Sequence, residues 1–278
     1  MGAGRPCRGA QTGARLGDMD RSSAYGDLER PPLRQRALQR ALDPYGWRLE
    51  VVESAGSTNA VVAERARAGE PAGLVVVAES QTAGRGRLDR TWVSPPRAGL
   101  TFSVLVRPEL APDRLSWLPL VTGLAVATAL QEQAEVEASL KWPNDVLIDG
   151  RKVCGVLAEL PVPGAVVLGI GLNVTTRAGE LPHEGATSLR LAGASTSDRG
   201  TVLRAVLRSL ARVLADVDAA CATYRDRCSS VGSVVRVELP GGASVEGLAG
   251  SVDDQGRLVV DGVPYGAGDV VHLRPGPG

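Results

Sequence analysis

The chain's 31 lysine and arginine residues include only two lysines, Lys141 and Lys152, and both lie in the segment LKWPNDVLIDGRKVCGVLAE of residues 140–159. An ammonium group is a compact point charge, whereas a guanidinium is a wide planar fork that fits poorly in a narrow site. This contrast makes Lys141 a candidate for neutralising an anion in a tight pocket. The alternative reading of the cluster is two ordinary surface lysines.

A loop rich in glycine and arginine is the second candidate for chemistry. The segment QTAGRGRLDRTW of residues 81–92 places Arg85, Arg87 and Arg90 among glycines, with no apolar anchor of their own. Guanidinium groups and exposed backbone amides suit a phosphate chain. Phosphoryl and adenylyl transfer depend mainly on positioning and charge stabilisation. A solvated basic loop or an RNA-binding segment is the alternative, but the apolar strands on both sides favour the rim of a pocket.

No protein nucleophile can be identified from motifs. The chain has neither GxSxG nor HExxH. His183 lies in a turn-rich segment and His272 in the last strand pattern, which is more typical of structural histidines than of a general base. Cys154 lies in an apolar strand and is more typical of a core cysteine than of a reactive one. If the protein is an enzyme, its substrates supply the attacking groups.

The turn after Lys141 carries two further polar candidates. Asn144 and Asp145 follow Pro143, where such residues are common for structural reasons, and beside Lys141 they could contact a ribose or a hydrated Mg²⁺. The P-loop motif GxxxxGK[ST] is absent, and the glycines of GIGLN at residues 169–173 are not followed by a helix of the dinucleotide-binding kind. A nucleotide site would therefore have another design.

Composition limits the classes of function. With 278 residues, one or two domains are expected, and 31 acidic residues balance the 31 basic ones, so neither DNA nor a membrane is an expected partner. Four cysteines without a CxxC pair and two histidines do not indicate a zinc site or a disulfide framework. The first twenty residues lack a secretory core, and the uncharged run at residues 115–131 is short for a spanning helix. A cytoplasmic location is expected.

The periodic patterns predict an α+β fold that brings these candidates together. A disordered extension is expected at residues 1–30, with Met19 as an alternative start, followed by a main domain at 31–228 and a small barrel of four strands at 229–278. Helices are predicted at residues 33–42, 57–69, 115–135 and, as one long helix, 198–224. Strands are predicted at residues 48–52, 73–79, 100–107, 146–148, 153–160 and 166–174. Ser57 or Thr58 is the expected N-cap of the second helix.

Several motifs in fixed order resemble the biotin protein ligases, also called biotin–acetyl-CoA-carboxylase ligases, and in particular their actinobacterial type. The likeness runs from Trp47 to Arg274. Its motifs are STN at residues 57–59, QTAGRGR at 81–87, the following Arg90 and Trp92, KWPND at 141–145, GRKVCGVLAE at 150–159 and GIGLNV at 169–174. The ordered set is more specific than any one of these motifs.

The resemblance implies a reaction in two steps. Biotin and MgATP would give biotinyl-5′-AMP and pyrophosphate, and a lysine of a biotin carboxyl carrier protein domain of acyl-CoA or pyruvate carboxylases would then take the biotinyl group. The family fold is a mixed β-sheet with flanking helices, related to class II tRNA synthetases, followed by an SH3-like C-terminal barrel. A weak homodimer is left open.

The resemblance also assigns roles to residues. Lys141, Arg85 and Arg87 would be catalytic, with Lys141 bridging the biotin carboxylate and the α-phosphate. Biotin would be bound by Ser57, Thr58, Asn59, Gln81, Gly84, Arg85, Gly86, Arg87, Lys141 and Gly155. ATP and the adenylate would be bound by Arg85, Arg87, Arg90, Trp92, Lys141, Asn144 and Asn173. Trp92 would stack on adenine, and Asp145 is the candidate metal ligand.

Two departures from the family pattern stand out. The family often has a second glycine after its RGR segment, where this chain has Leu88-Asp89, so a pairing of Asp89 with Arg85 or Arg87 is left open. Only 46 residues precede the matched stretch, and a ligase without an N-terminal DNA-binding domain is therefore expected. Two rival functions are a lipoate or octanoate ligase or transferase of the same fold, and a biotin-sensing or RNA-binding module without catalysis.

Overall fold

A computed structural model of the chain describes residues 1–2, 29–88 and 90–273. Every helix and strand below belongs to one compact unit that begins at Pro32. The predicted disorder of residues 1–30 falls largely outside the described residues, and Met19 and Asp89 lie wholly outside them.

A seven-stranded mixed sheet is the frame of the larger module. Its strands are β1 (Arg48–Val52), β2 (Leu74–Ala78), β3 (Gly99–Val106), β4 (Ser139–Lys141), β5 (Asp145–Ile148), β6 (Arg151–Val162) and β7 (Ala165–Asn173). Their order is β1-β2-β3-β7-β6-β5-β4. Only β1 and β2 pair in parallel, and the other neighbours are antiparallel. The predicted strands are therefore present, and the predicted mixed sheet is confirmed.

Helices cover this sheet because their apolar faces need burial. They are α1 (Gln35–Leu42), α2 (Thr58–Arg67), α3 (Trp117–Ala134), α4 (Arg199–Ala215) and α5 (Val217–Arg227). The helix α3 is apolar on nearly every side, as expected for a helix packed between other elements, and it contacts α4, α5 and β6. All residues of β2 and β3 are buried. The core thus lies between the sheet and the α3–α4 layer.

The predicted single helix over residues 198–224 is wrong in one respect, because the chain forms two helices there. Asp216 ends α4 and is the N-cap of α5, and its side chain accepts a hydrogen bond from the Ala219 N–H over 3.0 Å. An Asp side chain can satisfy a free amide at a helix start and so favours a new helix over continuation. The apolar spacing alone did not reveal this break.

The second sheet has five antiparallel strands. They are β8 (Val234–Glu238), β9 (Ser244–Val252), β10 (Leu258–Val260), β11 (Val263–Tyr265) and β12 (Asp269–His272), in the order β11-β10-β9-β8-β12. Sequence patterns predicted four of these strands and missed β11, which contains Pro264 and lies at an edge, where a strand tolerates proline. The separate antiparallel C-terminal sheet is confirmed, whereas its status as a domain of residues 229–278 and its closure into an SH3-like barrel stay predictions.

Two indoles, one at the start of α3 and one directly after β4, attach the small sheet to the rest of the fold. Trp117 Nε1 donates to the Asp254 carbonyl over 2.9 Å, and Trp142 Nε1 donates to the Gly256 carbonyl over 2.9 Å. Both tryptophans are fully buried. Because the turn of residues 253–257 belongs to the small sheet, these bonds fix that sheet beside the strand that carries Lys141.

Within the ranges that the structure describes, no helix is both long and apolar enough to cross a membrane.

Candidate active site

A cavity of about 760 Å³ lies between the large sheet, the loop of residues 81–92 and the last strand of the small sheet. All candidate residues named from the sequence line it except Gly84. Those that line it are Ser57, Thr58, Asn59, Gln81, Arg85, Gly86, Arg87, Arg90, Trp92, Lys141, Asn144, Asp145, Gly155 and Asn173. One concave site therefore collects residues that are more than a hundred positions apart in sequence.

Gly84 has a role at the base of the loop instead. Its carbonyl accepts from the Trp92 N–H over 2.9 Å, and a Cβ at Gly84 would lie only 2.3 Å from the Trp92 carbonyl oxygen. The Gly86 N–H donates to the Arg90 carbonyl over 2.7 Å, and the Arg90 N–H donates to the Arg87 carbonyl over 3.1 Å. The arginine loop is therefore a turn with its own hydrogen bonds, which needs glycine where its two arms approach.

A polar chain starts at the first turn of α2. Ser57 is the N-cap but its side chain makes no cap hydrogen bond; instead, Gln81 Oε1 accepts from the Thr58 N–H over 2.8 Å. Ser103 Oγ lies 2.7 Å from Thr58 Oγ1 and 2.6 Å from Asn59 Oδ1. These side chains are buried or half-buried, so they form a preorganised set of donors and acceptors on one wall.

Glu159 joins that wall to the arginine loop. Asn59 Nδ2 donates to Glu159 Oε2 over 2.6 Å, and the Arg85 guanidinium forms an ion pair with Glu159 Oε1 at 3.2 Å. Glu159 is the last residue of the motif GRKVCGVLAE, but no role was predicted for it from the sequence. Its position on β6 opposite α2 could not be seen from local pattern.

The other two loop arginines contact the small sheet. Arg90 forms an ion pair with Asp269 at 2.5 Å, and Arg87 donates to the Gly268 carbonyl over 3.2 Å. Burial lowers the pKa of Arg87, while the nearby Asp269 carboxylate raises it in part. Sequence reasoning missed Asp269, because nothing local links β12 to a loop almost 180 residues earlier.

Lys141 and Lys152 both line the cavity, but their surroundings differ. The Lys152 ammonium lies 2.6 Å from Asp145 Oδ1. Over the described ranges, no hydrogen bond or ion pair is made by the Lys141 ammonium. Burial lowers the pKa of Lys141, the Asp145 charge raises it, and the Lys152 charge lowers it further. Lys141 is therefore a cation held in a partly desolvated site without a carboxylate of its own.

The pairing with Lys152 bears on the metal assignment of Asp145. Mg²⁺ is commonly held by one or two carboxylates together with substrate phosphates. Asp145 can supply one such carboxylate, although Lys152 competes for it. Over the described ranges, no cluster of three or more His, Cys, Asp or Glu side chains suits a metal ion. These residues fit a metal that ATP brings with it, and the role of Asp145 stays a prediction.

Trp92 lies against two paired glycines of the sheet. Gly155 on β6 and Gly171 on β7 are register partners, and a Cβ at Gly171 would meet the Trp92 ring at 2.4 Å. A Cβ at Gly169 would lie 2.1 Å from Asn59 Oδ1. Alternate glycines in a strand mark a close approach by another group. That signal was present in GIGLN, but sequence reasoning used the segment only to exclude a dinucleotide site and as a family motif, and did not predict the close approach of Trp92 and Asn59.

The side-chain amides of Asn144 and Asn173 bond to the backbone. Asn144 Nδ2 donates to the Val156 carbonyl over 2.8 Å, and Asn173 Nδ2 donates to the Thr187 carbonyl over 3.0 Å. Both residues therefore brace segments of the cavity wall in this structure. Their contact with an adenylate stays a prediction.

Comparison with known proteins gives consistent matches. Residues 51–174 match the model of the biotin/lipoate A/B protein ligase family. The biotin–[acetyl-CoA-carboxylase] ligase of Mycobacterium tuberculosis is 46% identical over 264 residues, which is 89% of this chain and 98% of that protein. The bifunctional ligase/repressor BirA of Bacillus subtilis is 32% identical over 217 residues, 74% of this chain and 66% of that protein.

Solved structures match as well. The biotin protein ligase of Aquifex aeolicus in complex with biotin and ATP has a TM-score of 0.69 and 32% identity, with 82% of this chain and 99% of that chain covered. The Leishmania major ligase in complex with biotinyl-5-AMP has a TM-score of 0.58 and 27% identity, with 82% of this chain and 98% of that chain covered.

Proposed function

The chain belongs to the biotin/lipoate A/B protein ligase family, and from this membership we propose that its cavity carries out the biotin ligase reaction. A biotin carboxylate oxygen attacks the α-phosphorus of ATP, and pyrophosphate leaves. A carrier lysine amine then attacks the acyl carbon of biotinyl-5′-AMP, an amide forms and AMP leaves. Biotin and ATP are the substrates, and Mg²⁺ accompanies the nucleotide. Mg²⁺ supplies charge neutralisation at the phosphates when bound.

The single observation that carries this proposal is the Lys141 ammonium inside the cavity, which has no ion-pair partner among the described residues. A carboxylate and a phosphate are both anionic, so their approach needs a cation that is not already neutralised by the protein. Lys141 meets that condition, whereas Lys152 is paired with Asp145. The absence of a nucleophile among the motifs agrees with a reaction in which both attacking groups come from substrates.

The arginine loop suits the phosphate side of the reaction. Arg85, Arg87 and Arg90 reach the cavity from one turn, and their present partners are carboxylates or a carbonyl oxygen. Phosphate oxygens are acceptors of the same kind, with more charge. ATP phosphates can therefore take the place of these partners.

The wall formed by Ser57, Thr58, Asn59 and Gln81 suits the polar head of biotin. Ser57 leaves its hydroxyl free of the helix end, and Thr58 and Asn59 lie in the polar chain that ends at Glu159. A site that hydrogen-bonds a ligand amide strongly rejects analogues without that group, because its buried polar atoms then lack partners. Trp92 remains the expected contact for adenine, and Gly155 remains the expected contact for biotin.

The acceptor is proposed to be the carrier domain of a carboxylase. Transfer from an acyl adenylate to a protein as an amide needs an amine, and the carrier lysine supplies it. The acyl-CoA or pyruvate type of carboxylase, a weak homodimer, the cytoplasmic location and the SH3-like form of the small sheet remain predictions. The lipoate or octanoate alternative is not favoured, since the matching relatives named above are biotin ligases.

A biotin-dependent ATP–pyrophosphate exchange assay tests the proposal. Exchange is expected with biotin and not with lipoate, because lipoate lacks the ureido group that the wall of α2 would bind. A folded chain that binds biotin without exchange would contradict the enzyme assignment. Exchange with lipoate instead of biotin would support the rival ligase.

A further inference from the structure

The segment between α5 and β8 holds the backbone on both sides of Lys141. The Ser229 N–H and the Ser229 hydroxyl each donate to the Leu140 carbonyl over 2.8 Å. The Trp142 N–H donates to Ser230 Oγ over 3.1 Å. Because Leu140 and Trp142 flank Lys141, two neighbouring serines fix the peptide units before and after the lysine.

His272 on β12 completes this arrangement. Its Nε2 lies 2.9 Å from Ser230 Oγ, and the residue borders the same cavity as Lys141. Burial lowers the pKa of His272, and the Lys141 charge lowers it further, so the ring is neutral at pH 7. A neutral imidazole has one unprotonated nitrogen. The Ser230 hydroxyl can therefore donate to Nε2 while it accepts from the Trp142 amide.

Solvent has little access to these bonds. Ser230 is 0% exposed and Trp142 is 2% exposed. If the Ser230 hydroxyl were removed, the Trp142 N–H would be buried without a partner. The bond from the Trp142 indole to Gly256 would remain as the second link to the small sheet.

The position of Lys141 depends on this backbone support more than on side-chain pairing. Over the part of the chain that the structure describes, its ammonium makes no ion pair that could hold it in place. A displacement of about 1 Å at a reacting centre can reduce a rate on the order of 100-fold. The peptide units next to Lys141 are therefore the place where the small sheet can affect the chemistry.

We propose that Ser230 and His272 are positioning residues for adenylate formation, which act through Lys141. This inference rests on the proposed function. The two half-reactions should differ in how much they are slowed by the loss of Ser230 or His272. Adenylation brings together two anions and needs the cation in place, whereas transfer brings a neutral amine to an uncharged acyl carbon, where that repulsion is absent.

The test uses the full chain with Ser230→Ala, His272→Ala and the control Ser233→Ala. Ser233 lies in the same segment, and its hydroxyl donates to the Ser229 carbonyl over 2.9 Å. Biotin-dependent ATP–pyrophosphate exchange measures adenylation, and supplied biotinyl-5′-AMP with a purified carrier domain measures transfer. Ser230→Ala is expected to slow exchange about 10- to 100-fold and leave transfer unchanged. His272→Ala is expected to act in the same direction with a smaller effect, and Ser233→Ala to resemble the unmodified chain.

Equal slowing of both half-reactions, or of neither, would overturn the inference. If thermal unfolding shows that Ser230→Ala does not fold, the comparison of the two half-reactions in His272→Ala tests the inference. That variant leaves the Ser230–Trp142 hydrogen bond in place. Failure of the proposed function is visible separately, as an absence of exchange in the unmodified chain.

Discussion

The Arg90 guanidinium lies 2.5 Å from the Asp269 carboxylate, which ties the arginine loop of the large module to the last strand of the small sheet. Asp269 is 14% exposed and Arg90 is 62% exposed at the side chain. Arg87 lies beside the same carboxylate, with 4.0 Å between Nε and Oδ1. One half-buried carboxylate thus contacts two arginines of the loop beside the cavity.

Asp269→Asn should weaken this closure and let biotinyl-5′-AMP escape faster. Ion pairs with an exposed partner contribute on the order of 0.2–1 kcal/mol, so a few-fold faster release is expected. Rapid filtration of the enzyme–adenylate complex measures the release rate. Glu246→Gln is the matched control, because Glu246 is paired with Arg236 on the surface of the same sheet. Equal release rates in both variants would show that Asp269 does not hold the loop.

Glu159→Gln should raise the KM for biotin. Asn59 and Arg85 both donate to Glu159 Oε2, over 2.6 and 3.3 Å, and the Arg85 guanidinium also lies 3.2 Å from Oε1. Gln has no charge and replaces one of these oxygens with an NH₂ group, which cannot accept from either donor. Hydrogen bonds to charged groups contribute about 1.5–3 kcal/mol, so a change of roughly tenfold or more is expected. Steady-state ATP–pyrophosphate exchange at varied biotin concentration gives this KM.

The comparison for that variant is Glu53→Gln, since Glu53 is exposed and pairs only with Arg97 in the described structure. If Glu159→Gln and Glu53→Gln have the same KM for biotin, the link that Glu159 makes between Asn59 and the arginine loop does not contribute to biotin binding.

The pH dependence of adenylation should reflect Lys141. Its pKa is lowered from 10.5 by burial, so the lysine loses its charge at a lower pH than an ordinary lysine. The charged form is the active one, and kcat/KM reports groups of the free enzyme. The alkaline decline of kcat/KM should therefore begin below the ordinary lysine range. A guanidinium fits a narrow site poorly, so Lys141→Arg should be slower, but its remaining activity should lack this decline because arginine keeps its charge there. Identical pH profiles would contradict the role.

Local signals in the sequence pointed to two parts of the cavity lining. The scarcity of lysine pointed to Lys141, and the glycine–arginine segment between two apolar strands pointed to the cavity rim. Both readings need only neighbours in sequence, since strand periodicity and loop composition are local properties. Lys141, Arg85, Arg87 and Arg90 all line the cavity, whereas candidates such as Gly155 and Asn173 were named only through the family resemblance.

The residues that sequence reasoning missed owe their positions to tertiary contacts. Glu159 faces Asn59 across about one hundred residues, and His272 faces the Lys141 strand only after the small sheet has packed. The pairing of Lys152 with Asp145 on the cavity wall likewise depends on the meeting of β5 and β6. The helix break at Asp216 was missed for a different reason, because its cap needs one hydrogen bond that apolar spacing does not encode.

The exchange rate of Lys141→Ala tests the central claim most directly. Because the Lys141 ammonium has no ion-pair partner over the described ranges and burial disfavours its charge, the substitution should leave the unfolding temperature close to that of the unmodified chain. Loss of one preorganised charge at such a site is expected to slow biotin-dependent ATP–pyrophosphate exchange on the order of 10²–10³-fold. A folded Lys141→Ala variant with a near-normal exchange rate would contradict the account.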